Sequence, residues 1–182
     1  MAIKGQIVEI SAQAALYQKA RELSASKKEI LESKLHYLHY SLFDGFLVGE
    51  HAGSEHFKLG QRKGINVGGK KAPLYVIGID EKQNRIFVGE GENHPGLMIQ
   101  VLALSEEKIA LPQDLLLSKE DLEHGVLVEV ATANFNKETA KLYLFETTFY
   151  LEFEHSVSIV FATTELNLFY NNNNITNLKT TL

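Results

Sequence analysis

Cysteine is absent from all 182 residues of the chain, which excludes a disulfide framework, a thiolate metal site and a cysteine nucleophile. A basic leader followed by an apolar run is also missing, and no uninterrupted apolar stretch is long enough to cross a bilayer. The expected compartment is therefore the cytoplasm, with no membrane partner. No Walker-type phosphate loop is found either. The nearest cluster, Gly68-Gly69-Lys70-Lys71, lacks the following hydroxyl residue and the required spacing, so no nucleotide cofactor is expected. Glu32, His36 and His39 share a helical face, but no further strong ligand joins them and no metal centre is expected.

What remains is an ordinary soluble composition, 45% hydrophobic and 23% charged, long enough for one compact domain or two small ones. The net charge of -5 argues against nonspecific nucleic-acid binding, which depends on cations neutralising phosphates. The distribution argues otherwise in one place. Between His51 and Lys71 stand the cations Lys58, Arg62, Lys63, Lys70 and Lys71 against the single acid Glu55. Much of the acidic excess lies elsewhere, at Glu90, Glu92, Glu106, Glu107, Asp114, Glu120, Asp121 and Glu123. A basic patch on an acidic body is consistent with a directed RNA contact.

Along the chain the periodicity changes once. After a short strand at Ile7 to Ile10, the apolar residues Ala12, Leu16, Ala20 and Leu23 fall at helical spacing. Ser26-Lys27-Lys28-Glu29 is a capping-box sequence that opens a second helix carrying Ile30, Leu31, Leu35 and Leu38. Together they predict a helical hairpin in residues 1–45. From Phe46 the texture is β, with short branched and aromatic runs at Leu74 to Ile79, Arg85 to Val88, Ile99 to Leu104, Val126 to Ala131, Ala140 to Phe145, Phe149 to Phe153, Val157 to Phe161 and Glu165 to Tyr170. Asp80 to Asn84 suits a hairpin loop, and Asn171 to Asn174 a turn or frayed loop. A polar break between Leu111 and Gly125 marks a domain boundary. The expected fold is mainly β with an N-terminal helical hairpin. A small central β domain over residues 46–118 is followed by a small antiparallel β-barrel over residues 119–182.

The densest pattern lies between Gly49 and Leu97. It comprises Gly49, His51, Gly53, Phe57, Gly60, Gln61, Arg62, Lys63, Gly64, Ile65, Gly68 and Gly69, then Pro73, Tyr75, Val76, Asp80, Asn84 and Val88, then His94-Pro95 ahead of Leu97. In content and order this resembles the central domain of the bacterial tRNA 2-thiouridylases, with Lys58 standing where that family usually has threonine. A weaker resemblance to the family's C-terminal β-barrel runs through Ala131 to Lys137, Lys141 to Glu154, Ala162 to Glu165 and Leu168 to Tyr170. There the strands are kept, but the family's arginines, its turn and its final glycines are not. The resemblance covers about three quarters of the chain. It implies tRNA as partner and Lys58, Gln61, Arg62, Lys63, Lys70 and Lys71 as RNA-binding residues. The family's ATP-pyrophosphatase domain, with its S-G-G-x-D-S loop, and its catalytic cysteine have no counterpart in this sequence.

Each residue of the patch also has a structural reading. Arg62 and Lys63 can anchor a loop through carbonyls and carboxylates, Gln61 can bond backbone within a glycine-rich turn, and His51 and His56 can be hydrogen-bonded scaffold histidines. Tyr37 and Tyr40 can stack bases or cover a core. The expectation is a non-catalytic, tRNA-binding or tRNA-positioning relative of the 2-thiouridylases. Two rivals stand beside it. One is an accessory subunit of a thiolation enzyme whose catalytic domain acts in trans; the other is a protein-interaction module that has lost RNA binding. Oligomeric state is not legible.

Overall fold

The computed structural model describes residues 4–18, 25–35, 37, 39–105, 117–133, 136–171 and 173–179. These residues fall into two compact units. The first comprises residues 1–24, 36–98 and 158–160, and the second residues 25–35, 99–157 and 161–182.

The first unit is built on a four-stranded sheet. Its strands are β1 (Gly5–Ile10), β2 (Gly45–His51), β3 (Leu74–Asp80) and β4 (Arg85–Glu90), in the order β2-β1-β4-β3. β1 runs antiparallel to β2 and parallel to β4, and β3 and β4 form an antiparallel hairpin. The two inner strands are apolar on both faces, because Ile7, Val8 and Ile10 of β1 and Ile86, Phe87 and Val88 of β4 are all buried. A central strand covered on both sides has this composition. In the pairing of β1 with β2 the register shifts between Ile7 and Val8, which face Gly49 and Leu47, leaving Val48 as the extra residue of a bulge.

The second unit carries six strands in the order β10-β9-β6-β7-β8-β5. These are β5 (Met98–Ser105), β6 (Val126–Ala131), β7 (Glu138–Phe145), β8 (Thr148–Ser158), β9 (Glu165–Tyr170) and β10 (Asn173–Lys179). Pairings β10/β9, β9/β6, β6/β7 and β7/β8 are antiparallel. On β6, Val126, Val128 and Val130 are buried while Leu127 and Glu129 are exposed, the alternation of a strand with one face in the core. Helix α1 (Lys27–Glu32) begins with the expected capping box, in which Ser26 Oγ accepts from Glu29 N and the Glu29 carboxylate accepts from Ser26 N. Helix α2 (Lys119–His124) has a second box made by Ser118 and Asp121, and ends at Gly125.

Four expectations need correction. The C-terminal region is an open sheet with edges β10 and β5, so among the described residues no barrel closes. The strand expected at Val157 to Phe161 is the end of β8 followed by a 3-10 turn over Ile159–Thr163. The second helix stops at Glu32, because Ser33 and Lys34 form a turn, and Leu35 lies beyond it. At Ala12 to Leu16 the chain forms a tight turn and a single 3-10 turn, Ala15–Tyr17, instead of a regular helix. Ala20, Leu23, Leu38 and the metal candidate His36 lie outside the described residues, as do residues 106–116 of the expected domain break. Among the described residues no helix is long and apolar enough to cross a membrane.

Candidate nucleic-acid interface

The segment joining β2 to β3, residues 52–73, carries all six expected site residues. Its backbone is held closely. Gly60 N donates to Val76 O at 2.8 Å and Val76 N donates to Gln61 O at 2.9 Å, which ties the loop alongside β3. Gly60 and Gly64 have φ of 78° and 88°, a region in which a side chain on an L-residue is strained. Gln61 staples the intervening turn: its Oε1 accepts from Lys58 N at 3.0 Å and its Nε2 donates to Lys63 O at 2.8 Å. Gln61 is therefore a scaffold residue of the loop, with both ends of its amide already engaged.

Other matched positions are likewise occupied in holding the fold. Asn84 adopts φ 49° at the β3–β4 turn, a conformation asparagine tolerates better than most residues. Its Oδ1 accepts from Ser54 N at 2.9 Å and its carbonyl accepts from Gln6 N at 3.1 Å. His51 is buried, and its Nδ1 accepts from Gly53 N at 3.1 Å. His94 is 2% exposed; its Nδ1 accepts from Gly96 N, which requires the proton on Nε2, and that group donates to Ile10 O at 3.0 Å. Burial lowers the His94 pKa, opposed by its bond to Ile10 and the charge of Glu9, and keeps the ring neutral. Tyr17 packs edge-on against His94 and shares a 2.7 Å hydrogen bond with Tyr40. Burial pushes the Tyr17 hydroxyl up to about 12. Tyr37 and Tyr40 are both buried, so they belong to the core and offer no ring for stacking.

The cations divide. Lys70 forms an ion pair with Glu9 of β1. Lys58, Arg62, Lys63 and Lys71 are exposed, and among the described residues none of them has a carboxylate within ion-pair distance. Arg62, Lys70 and Lys71 line one open groove of about 490 Å³ together with Gly68 and Gly69. Lys58 and Lys63 do not line it. Arg62 also borders a second cleft of about 550 Å³, with Tyr75, Glu90, Glu92 and His94 among its walls. No group of three histidine, aspartate or glutamate side chains able to hold a metal occurs among the described residues, and Glu32 accepts instead from Tyr150 Oη at 3.2 Å. The sequence reading did not single out Phe46, which is 75% exposed on β2 and lines a cleft with Lys70. The sequence signal at that position is a phenylalanine between Gly45 and Gly49, three residues after Phe43.

A chain so arranged has recognisable relatives. Residues 29–90 match the tRNA methyl transferase PRC-barrel domain. The chain is 34% identical to the tRNA-specific 2-thiouridylase MnmA of Karelsulcia muelleri over 83% of its own length and 36% of the relative's. It is 31% identical to that of Flavobacterium johnsoniae over 86% of its own length and 40% of the relative's. With that of Christiangramia forsetii it shares 38% identity over 58% of its length and 27% of the relative's. The chain thus spans well under half of the curated relatives it matches.

Proposed function

From the kinship of this chain with the tRNA-specific 2-thiouridylases, which runs through most of its length, we propose that it is a tRNA-binding and tRNA-positioning module of that family without catalytic activity of its own. The observation that carries the reading is the set of four exposed, unpaired cations, Lys58, Arg62, Lys63 and Lys71, on a loop held by Gln61 and by bonds to β3. Unpaired ammonium and guanidinium groups are free to meet phosphates, and each contact releases condensed counterions from the RNA. A stapled loop presents them with little ordering cost. Lys70, already paired with Glu9, contributes less, and Gln61 acts by positioning.

On this reading residues 1–45 are a segment ahead of the central domain, residues 46–118 the central domain and residues 119–182 the C-terminal domain, although the family match already begins at residue 29. The module works in the cytoplasm on tRNA. With no cysteine in these 182 residues, a thiolate for sulfur transfer would have to come from outside them, and a separate thiolation subunit is one such source. The rival of a protein-interaction module draws on one specific observation, the exposed apolar residues Phe43, Phe46 and Leu47.

The test is capture of the tagged chain from cells with sequencing of crosslinked RNA, alongside an assay of the purified chain with tRNA, ATP and a sulfur donor. Enrichment of tRNA without sulfur incorporation is expected. Absence of tRNA from the crosslinked material would remove the reading, and thiolation by the chain alone would remove its non-catalytic part.

A further inference from the structure

Phe46 stands on β2, an edge strand of the first unit's sheet, and lines a cleft of about 500 Å³ together with Val48, Lys70 and Ala72. That cleft and the one bordered by Arg62 and Tyr75 share Ala12, Ala72, Glu90 and His94. An exposed aromatic ring and an unpaired guanidinium therefore front one continuous depression. Lys70 balances the charge of Glu9, while the Glu90 carboxylate accepts from Ala72 N at 2.7 Å and keeps its negative charge. Glu92 is exposed in the cleft that Arg62 borders. The positive charge open to a ligand lies in the adjoining groove, where Arg62 and Lys71 stand and which shares Lys70 and Ala72 with the cleft of Phe46.

We propose that this depression is a stacking site for an unpaired RNA base, which lies on Phe46 while the flanking phosphates lie on Arg62 and Lys71. The inference rests on the RNA reading above and deepens it: the ligand is a single-stranded segment, since a base paired within a duplex offers no face to the ring. A polyanion with aromatic faces uses both the ring and the cations, whereas a protein partner would do so only with carboxylates set beside the residue that covers Phe46. The second cue is contrast. Phe43 is still more exposed, at 96%, but lines none of the three clefts described above, and so serves as an internal control for unspecific stickiness.

The test measures binding of the full chain to a labelled single-stranded oligoadenylate of about twelve nucleotides and to the matching duplex, across a range of salt. Phe46→Ala is expected to weaken single-strand binding by about fivefold to a hundredfold, the range that stacking of one base contributes. Phe46→Trp should keep it, Phe46→Leu should behave as the alanine variant, and Phe43→Ala should change it by less than about twofold. None of these should alter the salt slope, because none removes a charge. The fold should hold in each, since the side chain is largely outside the core. If Phe46→Leu binds as well as wild type, or Phe46→Ala is unchanged while Arg62→Ala/Lys63→Ala still flattens the slope, the stacking site is wrong and the RNA reading stands. If wild type binds neither RNA, the stacking site falls, and the RNA reading is decided by the affinity for tRNA. A protein captured through Phe46 from RNase-treated extract, with no Phe46 effect on RNA, would also overturn the stacking site.

Discussion

Glu152 holds α1 against the β7–β8 hairpin, and replacing it by glutamine should cost the second unit a measurable part of its stability. Its two oxygens face different ammonium groups, Lys27 Nζ at 2.6 Å and Lys34 Nζ at 2.7 Å, with Tyr143 Oη at 3.4 Å. The Glu152 side chain is 15% exposed. Burial alone would raise its pKa, but the two ammonium groups outweigh burial and hold it at about 2, against an ordinary 4.5. Taken at face value that difference is worth about 3 kcal/mol. Lys27 is 37% exposed, so solvent screening reduces the contribution to about 1–2 kcal/mol. Because the folded pKa is depressed, this stability is fully present above about pH 4.5 and is lost as the pH falls towards 2. Glu152→Gln keeps the shape but leaves two ammonium groups facing each other without a counter-charge. Urea unfolding at pH 7, followed by a signal from the second unit, should show a loss of about 2 kcal/mol, and the variant should lack this part of the acid-dependent decline. A variant within 0.5 kcal/mol of wild type at pH 7, about the scatter expected of an ordinary surface substitution, with the same acid profile, would refute the argument.

His94→Ala removes two buried hydrogen bonds and strands Ile10 O and Gly96 N, so the first unit should lose about 2–4 kcal/mol in denaturant melts. Since burial lowers the wild-type His94 pKa below its ordinary 6.5, the unfolded chain binds the proton more readily. First-unit stability should therefore fall as pH drops through 6.5, and that component should vanish in the alanine variant. Gln61→Ala releases the turn between Lys58 and Lys63 without removing charge, and should weaken tRNA binding severalfold while the salt slope stays the same; a changed slope would mean that Gln61 does more than position the cations.

How much of this was legible depended on whether a residue's role is local. Strands β6 and β9 match the expected Val126 to Ala131 and Glu165 to Tyr170, since branched and aromatic runs with one buried face mark themselves. The capping box at Ser26 and Glu29 was equally readable, because its chemistry spans only four residues. β2 was missed: it holds two glycines and an irregular burial pattern that its bulge imposes. At β10 the run Asn171 to Asn174 reads as a turn or frayed loop, yet Asn173 and Asn174 open a strand that pairs with β9 as far as Lys179, with a register shift between Asn174 and Thr176. Sheet closure was misjudged because strand number and spacing say nothing of which edges meet. At the site, the clustering of cations was visible, but the pairing of Lys70 with Glu9 spans 61 residues and could not be. The dense motif proved largely a scaffold. Gln61, Asn84, His51 and His94 spend their hydrogen bonds on backbone groups, leaving the lysines and the arginine between them to face solvent.

The account therefore turns on whether those cations meet phosphates. The direct measurement is the affinity of the wild-type chain and of Arg62→Ala/Lys63→Ala for tRNA over a range of salt concentrations, with Lys119→Ala/Lys141→Ala, two exposed lysines outside the loop, as a control for charge removed elsewhere. The account predicts steep weakening with salt for wild type, weaker binding with a slope flattened by roughly one unit per lost contact for the Arg62/Lys63 variant, and little change in slope for the control. Absence of tRNA binding by wild type at low salt, or an unchanged slope in the Arg62/Lys63 variant, would contradict it.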